Sequence, residues 1–459
     1  MAITALLFIL LYAGGLLLAL FRNAQFGLYI YIAVFYLDAP NRWWGADLPQ
    51  LRWSFIAAAV TALAAIIHSK DRMRWLGYVP VQLLLLYTLW MFIQSSWALD
   101  PVSHADGLQL FIKFNIVVFM IVTIIDDETK MRRFMLANAI GGMYLGMIAL
   151  TAYSGGRLDG VGGPGIDDAS SLGMQLSAVC LLAGAVYFAS TDSIRWVAAA
   201  TLPLMLNTVV MAGSRGAFLG LVMGAFAFFY LRPKRKTGLL LLYGVAALGM
   251  FLYLAQDAFW ERMTSITDAA MQTEEMDLSA ESRYGIFEAQ LQMFRDYPMG
   301  GGHRTTTLLS ANYIDETYLS TTVGARSSHN TLMSTLVDQG ALGLALWLLI
   351  AWFLYRYSVR VQKALPASHI GLTWMNAGIA GGLIVVLSAG MFAPFLRAEV
   401  YIWLMALMCA MYGISQRLPQ DAKESIDESG KSGSRKTRRG GALHEGKHAV
   451  PVGRPEADL

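Results

Sequence analysis

The chain has 459 residues, of which 56% are hydrophobic and only 15% are charged. Soluble proteins carry roughly 25% charged residues, so much of this apolar surface is predicted to face lipid rather than a protein core. The formal net charge of +3 gives no basis for a nucleic-acid partner. Cys180 and Cys409 both lie in apolar runs, which predicts buried helical residues rather than a disulfide or a metal pair.

Apolar runs recur along the chain and predict an all-α polytopic membrane protein with about 12–13 transmembrane helices, each of roughly 17–25 residues. The first run has no basic residue before it and no cleavage site after it, so it is predicted to be a span rather than a signal peptide. Phe26–Leu37 is short and is either a span or a re-entrant segment. The other predicted spans are Ala2–Leu20, Leu51–Ile67, Pro80–Ser96, Leu108–Ile125, Phe134–Tyr153, Ser171–Ala189, Ile194–Met211, Ala217–Leu231, Gly238–Ala255, Thr331–Leu354, Ile370–Met391 and Val400–Ile414.

Lysine and arginine residues in short loops predict the orientation. When the spans alternate, the clusters Lys70–Arg74, Lys130–Arg133, Arg232–Lys236 and Arg356–Lys363 share one side, which is predicted to be the cytoplasm. The chain then divides into an N-terminal transmembrane bundle (1–255), a partly helical periplasmic loop (256–328), C-terminal transmembrane helices (329–415) and a disordered cytoplasmic tail (416–459). The basic cluster of the tail is either solvated or in contact with anionic membrane lipid.

The first candidate element on the periplasmic side is the joint Gly213-Ser214-Arg215-Gly216 between two spans. Ser214 is predicted to cap the following helix, which places Arg215 in its first turn. A guanidinium beside free backbone N–H groups suits an anion. The alternative is an arginine that anchors a helix end at the membrane interface.

The long loop contains a second element, a helix predicted from Ser279 to about Asp296. Phe287, Leu291 and Phe294 fall on one face of it, and Arg283 precedes them by one turn. This pattern suits a helix on the membrane surface, with Arg283 at the depth of lipid phosphates. A helix packed on the bundle fits equally well. Arg304, after the glycines that follow this helix, is a weaker companion.

The third element is the junction Arg326–Thr331 between the long loop and the next span. Ser328 is the predicted N-cap, so His329 is expected in the first turn of the helix. The positive end of the helix dipole disfavours a charged imidazolium there, and a neutral imidazole can act as a general base for a sugar hydroxyl. An interfacial histidine without a special role is the alternative.

Other candidate sites have weaker support. The glycine-rich stretch Gly155–Gly165 lacks the lysine of a nucleotide-binding loop. Asp167 and Asp168, near Asp159, are predicted to cap a helix rather than to bind a metal. Arg397 and Glu399 are expected to pair with each other or with lipid headgroups. Few charges lie inside the predicted spans, which argues against a transporter with an ion relay.

The motif His329-Asn330 followed by spaced leucines, Asp338, Gly340 and Gly343 resembles the signature of the O-antigen ligase and polymerase family of the Wzy/WaaL type. The Ser214–Gly216 joint and Arg283 resemble its arginine motifs, in the same order along the chain. Pro40–Pro49 and Gly160–Asp168 are similar to segments of exosortase-associated O-glycosylation ligases. Asp338 departs from the glutamate that many members of the family carry at this position.

The resemblance implies an inverting class C glycosyltransferase of the bacterial inner membrane that needs no metal and no other cofactor. Its donor would be a glycan on undecaprenyl diphosphate, and its acceptor a protein, a lipid or a growing polysaccharide. By this resemblance His329 would activate the acceptor hydroxyl, and Arg215 and Arg283 would hold the diphosphate. Arg304, Arg326, Asn330 and Lys113 are secondary candidates.

Three alternatives to a ligase stay open at this point. A repeat-unit polymerase of the same family would use the same residues. A lipid-linked glycan flippase would need polar or broken helices at the middle of the membrane, whereas the polar candidates here lie at one face. A non-catalytic assembly factor would not need His329.

The predicted topology can be tested with reporters fused to the full chain. A reporter that is active only in the periplasm should be active when inserted within 256–328 and inactive when fused after Gln416. If the insertion in 256–328 reports only a cytoplasmic position, the orientation is wrong, and the function implied by the resemblance falls with it.

Overall fold

The protein is all-α in a computed structural model that describes residues 2–154, 158–163, 165–166, 168–233, 278–315, 328–366 and 368–418, with isolated residues at 238, 244 and 249. No strand occurs among these residues, which confirms the predicted fold class. Residues 1–414 form one compact unit, and residues 415–459 form a second. In the second unit only 415–418 are described, and they are helical.

The helices of the first unit follow one another through short turns. They are α1 (Ile3–Phe21), α2 (Gln25–Leu37), α3 (Trp53–His68), α4 (Val79–Gln94), α5 (Pro101–Ile124), α6 (Glu128–Ala152), α7 (Ala169–Ala189), α8 (Ile194–Ala212), α9 (Arg215–Leu231), α10 (Leu278–Asp296), α11 (Thr305–Tyr313), α12 (Thr331–Ala364), α13 (Ile370–Ala389) and α14 (399–414).

Seven of the described helices are long and apolar enough to cross a membrane, and α3, α4 and α9 are shorter apolar helices. The polytopic class is therefore confirmed. Helix α2 has 13 residues, about 20 Å of helix, which is less than the roughly 30 Å of a hydrocarbon core. Phe26–Leu37 is thus too short for a full span. Apart from three isolated glycines, the predicted span Gly238–Ala255 lies outside the described residues, so the total number of spans stays a prediction.

Several helices begin before the apolar run that predicted them, because an aspartate caps each N terminus. Asp100 accepts two backbone N–H groups at 3.0 and 3.1 Å, so α5 begins well before the predicted span Leu108–Ile125. In the same way Asp127 caps α6 and Asp168 caps α7. The capping role predicted for Asp168 is therefore confirmed.

The basic loops lie together at one end of the bundle. The Gln25 amide donates to the Lys130 carbonyl at 3.1 Å, and the start of α6 lies against the start of α13. The Gln362 amide donates to the carbonyl of Leu231, next to Arg232, at 3.2 Å. The opposite end holds the starts of α9 and α12, and we call it the His329 end. The grouping of the basic loops agrees with the charge pattern, while the orientation in the cell stays a prediction.

Helices α7, α9 and α13 approach one another closely through small residues. A Cβ atom on Gly224 of α9 would lie 2.7 Å from the carbonyl oxygen of Gly381 in α13. A Cβ atom on Gly378 of α13 would lie 2.5 Å from the Cβ atom of Ala185 in α7. Such close backbone contact is a common way to hold helices together in lipid. It fixes the end of α13 relative to the start of α9.

Helix α12 is interrupted at Gly340, where φ is 70° and ψ is −175°. The interruption leaves backbone groups without helical partners, and such groups need other hydrogen bonds when they are buried. Residues 298–302, which follow α10, supply some of these bonds. Gly301 and Gly302 donate to the carbonyls of Val337 and Asp338 at 3.2 and 2.9 Å. We call residues 298–302 the kink segment.

Two side chains of α4 complete the hydrogen bonding at the kink. Trp90 Nε1 donates to the Gln339 carbonyl at 2.8 Å. Gln94 Nε2 donates to the carbonyls of Asp338 and Met299 at 2.8 and 3.1 Å. The kink segment is therefore fixed to both α12 and α4.

The Gly340→Ala variant should be clearly less stable than the wild type. A Cβ atom at this position would lie 2.4 Å from the carbonyl carbon of Met299, and the positive φ costs a non-glycine residue about 1–3 kcal/mol. Thermal unfolding of the purified protein in detergent measures the loss as a lower melting temperature. Gly14→Ala is the matched control, because a Cβ atom there meets nothing within 4 Å. Equal melting temperatures for the two variants would contradict the packing described at the kink.

Candidate functional site

Arg215 lies in the first turn of α9, as the sequence predicts. Ser214 Oγ accepts the backbone N–H of Ala217 at 3.3 Å, which confirms Ser214 as the N-cap. The Arg215 side chain is half-buried. A Cβ atom on Gly216 would lie 2.8 Å from the Cβ atom of Phe392. Glycine at this position therefore lets the turn after α13 pack directly beside Arg215.

His329 lies just before α12, and the predicted N-cap is wrong. Asn330, not Ser328, caps the helix, since its side-chain oxygen accepts the N–H groups of Leu332 and Met333 at 2.8 and 3.3 Å. His329 therefore precedes the cap and does not lie in the first helical turn. Its side chain is half-buried.

The Ser328 hydroxyl has a different role. It accepts the Asn330 N–H at 3.1 Å and donates to the Asn330 carbonyl at 2.9 Å, which closes a turn around His329. It also accepts the Gln290 amide of α10 at 2.9 Å. These three bonds use the full hydrogen-bonding capacity of a hydroxyl and hold the backbone of His329 in place.

The turn after α13 connects the region of His329 to that of Arg215. Thr331, two residues after His329, donates its backbone N–H to the Gly390 carbonyl at 2.7 Å and its hydroxyl to the Ala393 carbonyl at 2.8 Å. Phe392 in the same turn packs against Gly216. Residues 390–395, which we call the bridging turn, thus bring the starts of α9 and α12 to one place.

Helix α10 packs against α12 and α11 through Ile286, Ala289 and Met293. This face differs from the predicted stripe, of which Phe287 remains 40% exposed. The alternative of packing on the bundle is therefore correct for α10, but by a neighbouring face. Arg283 lies on α10, seven residues or about 10.5 Å before Gln290, which contacts Ser328. The side chain of Arg283 lies outside the described residues.

The secondary candidates do not form one group. Asn330 is occupied as the cap of α12. Lys113 lies on α5, where it donates to Gln109 at 3.2 Å and lines a groove of about 1000 Å³ between α2, α3, α4 and α5. Arg326 lies outside the described residues. Arg304 belongs to a separate cluster at the start of α11.

A buried cluster around Asp338 was not predicted from the sequence. Its carboxylate accepts the backbone N–H groups of Arg304 and Thr306 at 3.0 and 3.1 Å and so caps α11. The His303 N–H donates to His104 Nδ1 at 3.0 Å. His104 Nε2 lies 2.8 Å from the Met91 carbonyl. A signal was present in the sequence, since glycines and a histidine precede Arg304, but the partners lie far apart along the chain.

The charges around His303 keep its imidazole neutral. Burial, followed by the positive charges of Arg397 and Arg304, lowers the pKa of His303 to about 4. Its Nδ1 lies 4.0 Å from the Asp338 carboxylate, but a neutral ring makes no ion pair at that distance. His303 Nε2 is buried without a hydrogen-bond partner among the described residues.

The predicted pairing of Arg397 with Glu399 is wrong. Glu399 accepts a hydrogen bond from the Tyr31 hydroxyl, and no ion pair joins it to Arg397 within the described ranges. Partial burial, followed by the positive charge of Arg304, lowers the pKa of Arg397. Contact of Arg397 with lipid headgroups, the other expectation, stays open.

Residues 200–348 match the family model described as O-antigen ligase. The matched segment begins in α8 and ends in α12. It contains the Ser214–Gly216 joint, α10, the turn around His329 and the kink at Gly340. No curated protein matches the chain.

The low pKa of His303 predicts a dependence of stability on pH. The group titrates near 6.5 in the unfolded chain and near 4 in the folded protein, so the unfolded state binds more protons in this window. Stability should therefore fall as pH decreases from 6.5 to 4, by about 1.4 kcal/mol per pH unit for this group. Melting temperatures measured in one detergent between pH 7.5 and 5 test this.

His303→Gln should melt with a weaker dependence on pH than the wild type. His68→Gln is the control, because His68 is exposed at the other end of the bundle and should leave the dependence unchanged. A His303→Gln variant with the full wild-type dependence would show that His303 does not titrate as described.

Proposed function

With an O-antigen ligase domain at residues 200–348, the chain is a membrane protein of the O-antigen ligase family, and we propose that it is a glycan ligase. In this proposal it transfers an oligo- or polysaccharide from undecaprenyl diphosphate to an acceptor hydroxyl at the periplasmic face of the inner membrane. The observation that carries the proposal is the bridging turn, which contacts the residues next to Arg215 and His329.

In the proposed reaction His329 acts as the general base. The oxygen of the acceptor hydroxyl attacks the anomeric carbon of the glycan, and its proton passes to the imidazole of His329. The bond between the anomeric carbon and the diphosphate oxygen breaks on the opposite side, so the configuration at that carbon is inverted. Undecaprenyl diphosphate leaves with the electron pair of the broken bond.

Arg215 and Arg283 are proposed to hold the diphosphate. A guanidinium stays charged and offers paired donors that suit phosphate oxygens. Two such groups favour the departing charge more than the ground state, which is how fixed charges accelerate a reaction. Diphosphate is already a good leaving group, so the proposed mechanism requires no metal. The position of Arg215 in the first turn of α9 is consistent with this role.

The surroundings of His329 support its role as a positioned base. A base acts efficiently when its backbone and side chain are held at the reacting atoms. The Ser328 hydroxyl closes the turn around His329 and is itself held by Gln290 of α10. Movement of α10, which also carries Arg283, would therefore be transmitted to the base.

The grouping of the basic loops at the other end of the bundle supports a periplasmic His329 end. Positively charged loops favour the cytoplasmic side. The Gln25–Lys130 and Gln362–Leu231 contacts hold two of these loops at that end. A donor glycan on the outer leaflet would then reach Arg215 and His329 directly.

The narrower proposal is that the protein is an O-glycosylation ligase of the exosortase-associated type. Its two motif segments lie next to each other, because the Arg42 guanidinium donates to the Val161 carbonyl at 3.2 Å. A Cβ atom on Gly163 would lie 2.9 Å from the Asp38 carboxyl carbon. This contact makes the two segments one structural feature rather than two separate similarities.

Transfer assays with purified variants test the proposed roles. His329→Ala should lower the rate by at least about 100-fold, because a general base contributes about 10²–10⁴. Arg215→Ala and Arg283→Ala should each lower it by about 10²–10³, the usual effect of removing a stabilising charge. The measurement is the amount of glycan moved from a lipid diphosphate donor to an acceptor, at equal protein concentration and equal melting temperature.

Two matched variants serve as controls. His369→Ala removes a histidine at the start of α13, and Arg295→Ala removes an exposed arginine in the last turn of α10. Both should transfer glycan at the wild-type rate. Wild-type transfer by His329→Ala would show that the assignment of the base is wrong. Products that lengthen by whole repeat units would instead identify a polymerase.

A further inference from the structure

Two arginines and a buried histidine lie close together at the His329 end. Arg304 precedes α11, Arg397 precedes α14, and His303 lies between the kink segment and Arg304. The charges of Arg304 and Arg397 act on each other and on His303. The cluster thus combines residues from two separate connections of the bundle.

Arg304 is held in an unusual backbone conformation. Its φ is 65°, a value that is uncommon for a residue other than glycine. The Asp338 carboxylate accepts its N–H at 3.0 Å, and the kink segment fixes the residues before it. Strained residues that the surrounding structure fixes in this way are frequent at functional sites. Here the consequence is that a guanidinium leaves the backbone at a fixed point.

The two guanidinium groups have no close negative partner. Across the described parts of the chain, no carboxylate lies within 4.0 Å of Arg304 or Arg397. Asp338 and Asp100 both interact with the Arg304 charge, but they are occupied as the caps of α11 and α5. Asp106 acts on Arg397 and is exposed. Like charges without partners repel each other, and a bound anion would remove this cost.

His303 provides an independent sign of a missing ligand. Its side chain is only 7% exposed, and Nε2 lacks a hydrogen-bond partner in the described ranges. A buried polar atom without a partner costs about 1–3 kcal/mol. Such an atom beside two arginines needs an explanation, and a polar group of a ligand would supply the missing bond.

We propose that His303, Arg304 and Arg397 form a second anion-binding subsite, which takes the carboxylate of an acidic sugar in the glycan substrate. The inference rests on the proposed function, since it assumes that a glycan reaches the His329 end. The two guanidinium groups bind the carboxylate oxygens, and His303 Nε2 bonds a sugar hydroxyl or a carboxylate oxygen. The subsite is separate from the proposed diphosphate site, because neither Arg215 nor Arg283 contributes to it.

The position of Arg397 relates the subsite to the proposed reaction centre. Arg397 follows Phe392 by five residues, which span no more than about 18 Å of chain. Phe392 packs beside Arg215, and Thr331 near His329 bonds the same turn. One glycan can therefore reach both places, so the subsite would select a donor or acceptor by an acidic sugar near the reacting end.

The charges nearby favour a glycan over a membrane lipid as the source of the anion. Asp100 and Asp106 lie in the first turns of α5 beside the cluster and reach solvent. These carboxylates would repel the dense negative surface of anionic lipid headgroups. A single carboxylate on an otherwise neutral sugar chain fits between them with less repulsion.

Binding to the full-length protein in neutral detergent tests the proposal without any need for catalysis. The probe is a tetrasaccharide of glucuronic acid, and a glucose tetrasaccharide is the neutral comparison; calorimetric titration measures both. We expect binding of the acidic probe only, weakened by salt. Arg304→Asn and Arg397→Gln should each weaken it by about tenfold or more, the usual effect of losing a charged hydrogen bond.

The choice of variants separates charge from folding. Asparagine tolerates a positive φ, so Arg304→Asn removes the charge while keeping the backbone conformation. His303→Gln, a further subsite variant, should also weaken binding. Arg52→Gln and Arg295→Gln remove exposed arginines outside the cluster and should bind the probe as the wild type does.

Several outcomes would overturn the subsite. These are no binding of the acidic probe, equal binding of the neutral one, wild-type affinity in the Arg304 and Arg397 variants, or equal losses in the control variants. If the variants instead lose only co-purified phosphatidylglycerol in mass spectrometry, the cluster is a lipid site. Failure of transfer with intact binding would contradict the proposed function but not the subsite, so the two failures are distinguishable.

Discussion

The hydrogen bonds of Asp338 join two parts of the protein that lie far apart in sequence. Its carboxylate caps α11, outside the candidate spans, and its backbone carbonyl binds Gly302 and the Gln94 side chain. These bonds form at the interruption of α12 and fix the chain that follows α10. Helix α10 then reaches Ser328 through Gln290. The position of His329 therefore depends, through a series of contacts, on one buried carboxylate.

A second rigid part of the molecule positions Arg215. Helices α7, α9 and α13 approach through glycine and alanine, so the start of α9 and the end of α13 have little freedom. The bridging turn leaves α13 and bonds Thr331, which connects this part to the one that holds His329. The candidate site thus lies between two packed units, and its polar groups lie at an end of the bundle rather than at mid-membrane. A site built this way can admit lipid-linked and water-soluble molecules from different sides.

The sequence predicted much of the fold because the dominant signals are local. Long apolar runs identify most helices, and Ser214 caps α9 as its position suggests. The early starts of α5 and α6 come from Asp100 and Asp127, a capping signal visible in the sequence. The cap of α12 was predicted wrongly because Ser328 and Asn330 are both good caps. Only the contact of Ser328 with Gln290, 38 residues away, decides between them.

The cluster around Arg304 could not be predicted for the same reason. The bond between His303 and His104 joins residues 199 positions apart, and the caps of α11 and α5 that occupy Asp338 and Asp100 appear only when the helices pack. The predicted pair of Arg397 and Glu399 failed because Tyr31, far away in sequence, binds Glu399. Spacing along a chain identifies neighbours on one helix, but it does not identify which groups meet between helices.

The lengths of α4 and α9 have a consequence for the surrounding bilayer. Helix α9 runs from the His329 end to the basic end in 17 residues, and α4 runs the opposite way in 16. These helices are about 24–26 Å long, some 4–6 Å less than a typical hydrocarbon core of roughly 30 Å. Lipids in contact with such helices must compress or tilt. The phosphate layer around this part of the protein is thereby drawn inward, toward the level at which the first turn of α9 presents its guanidinium.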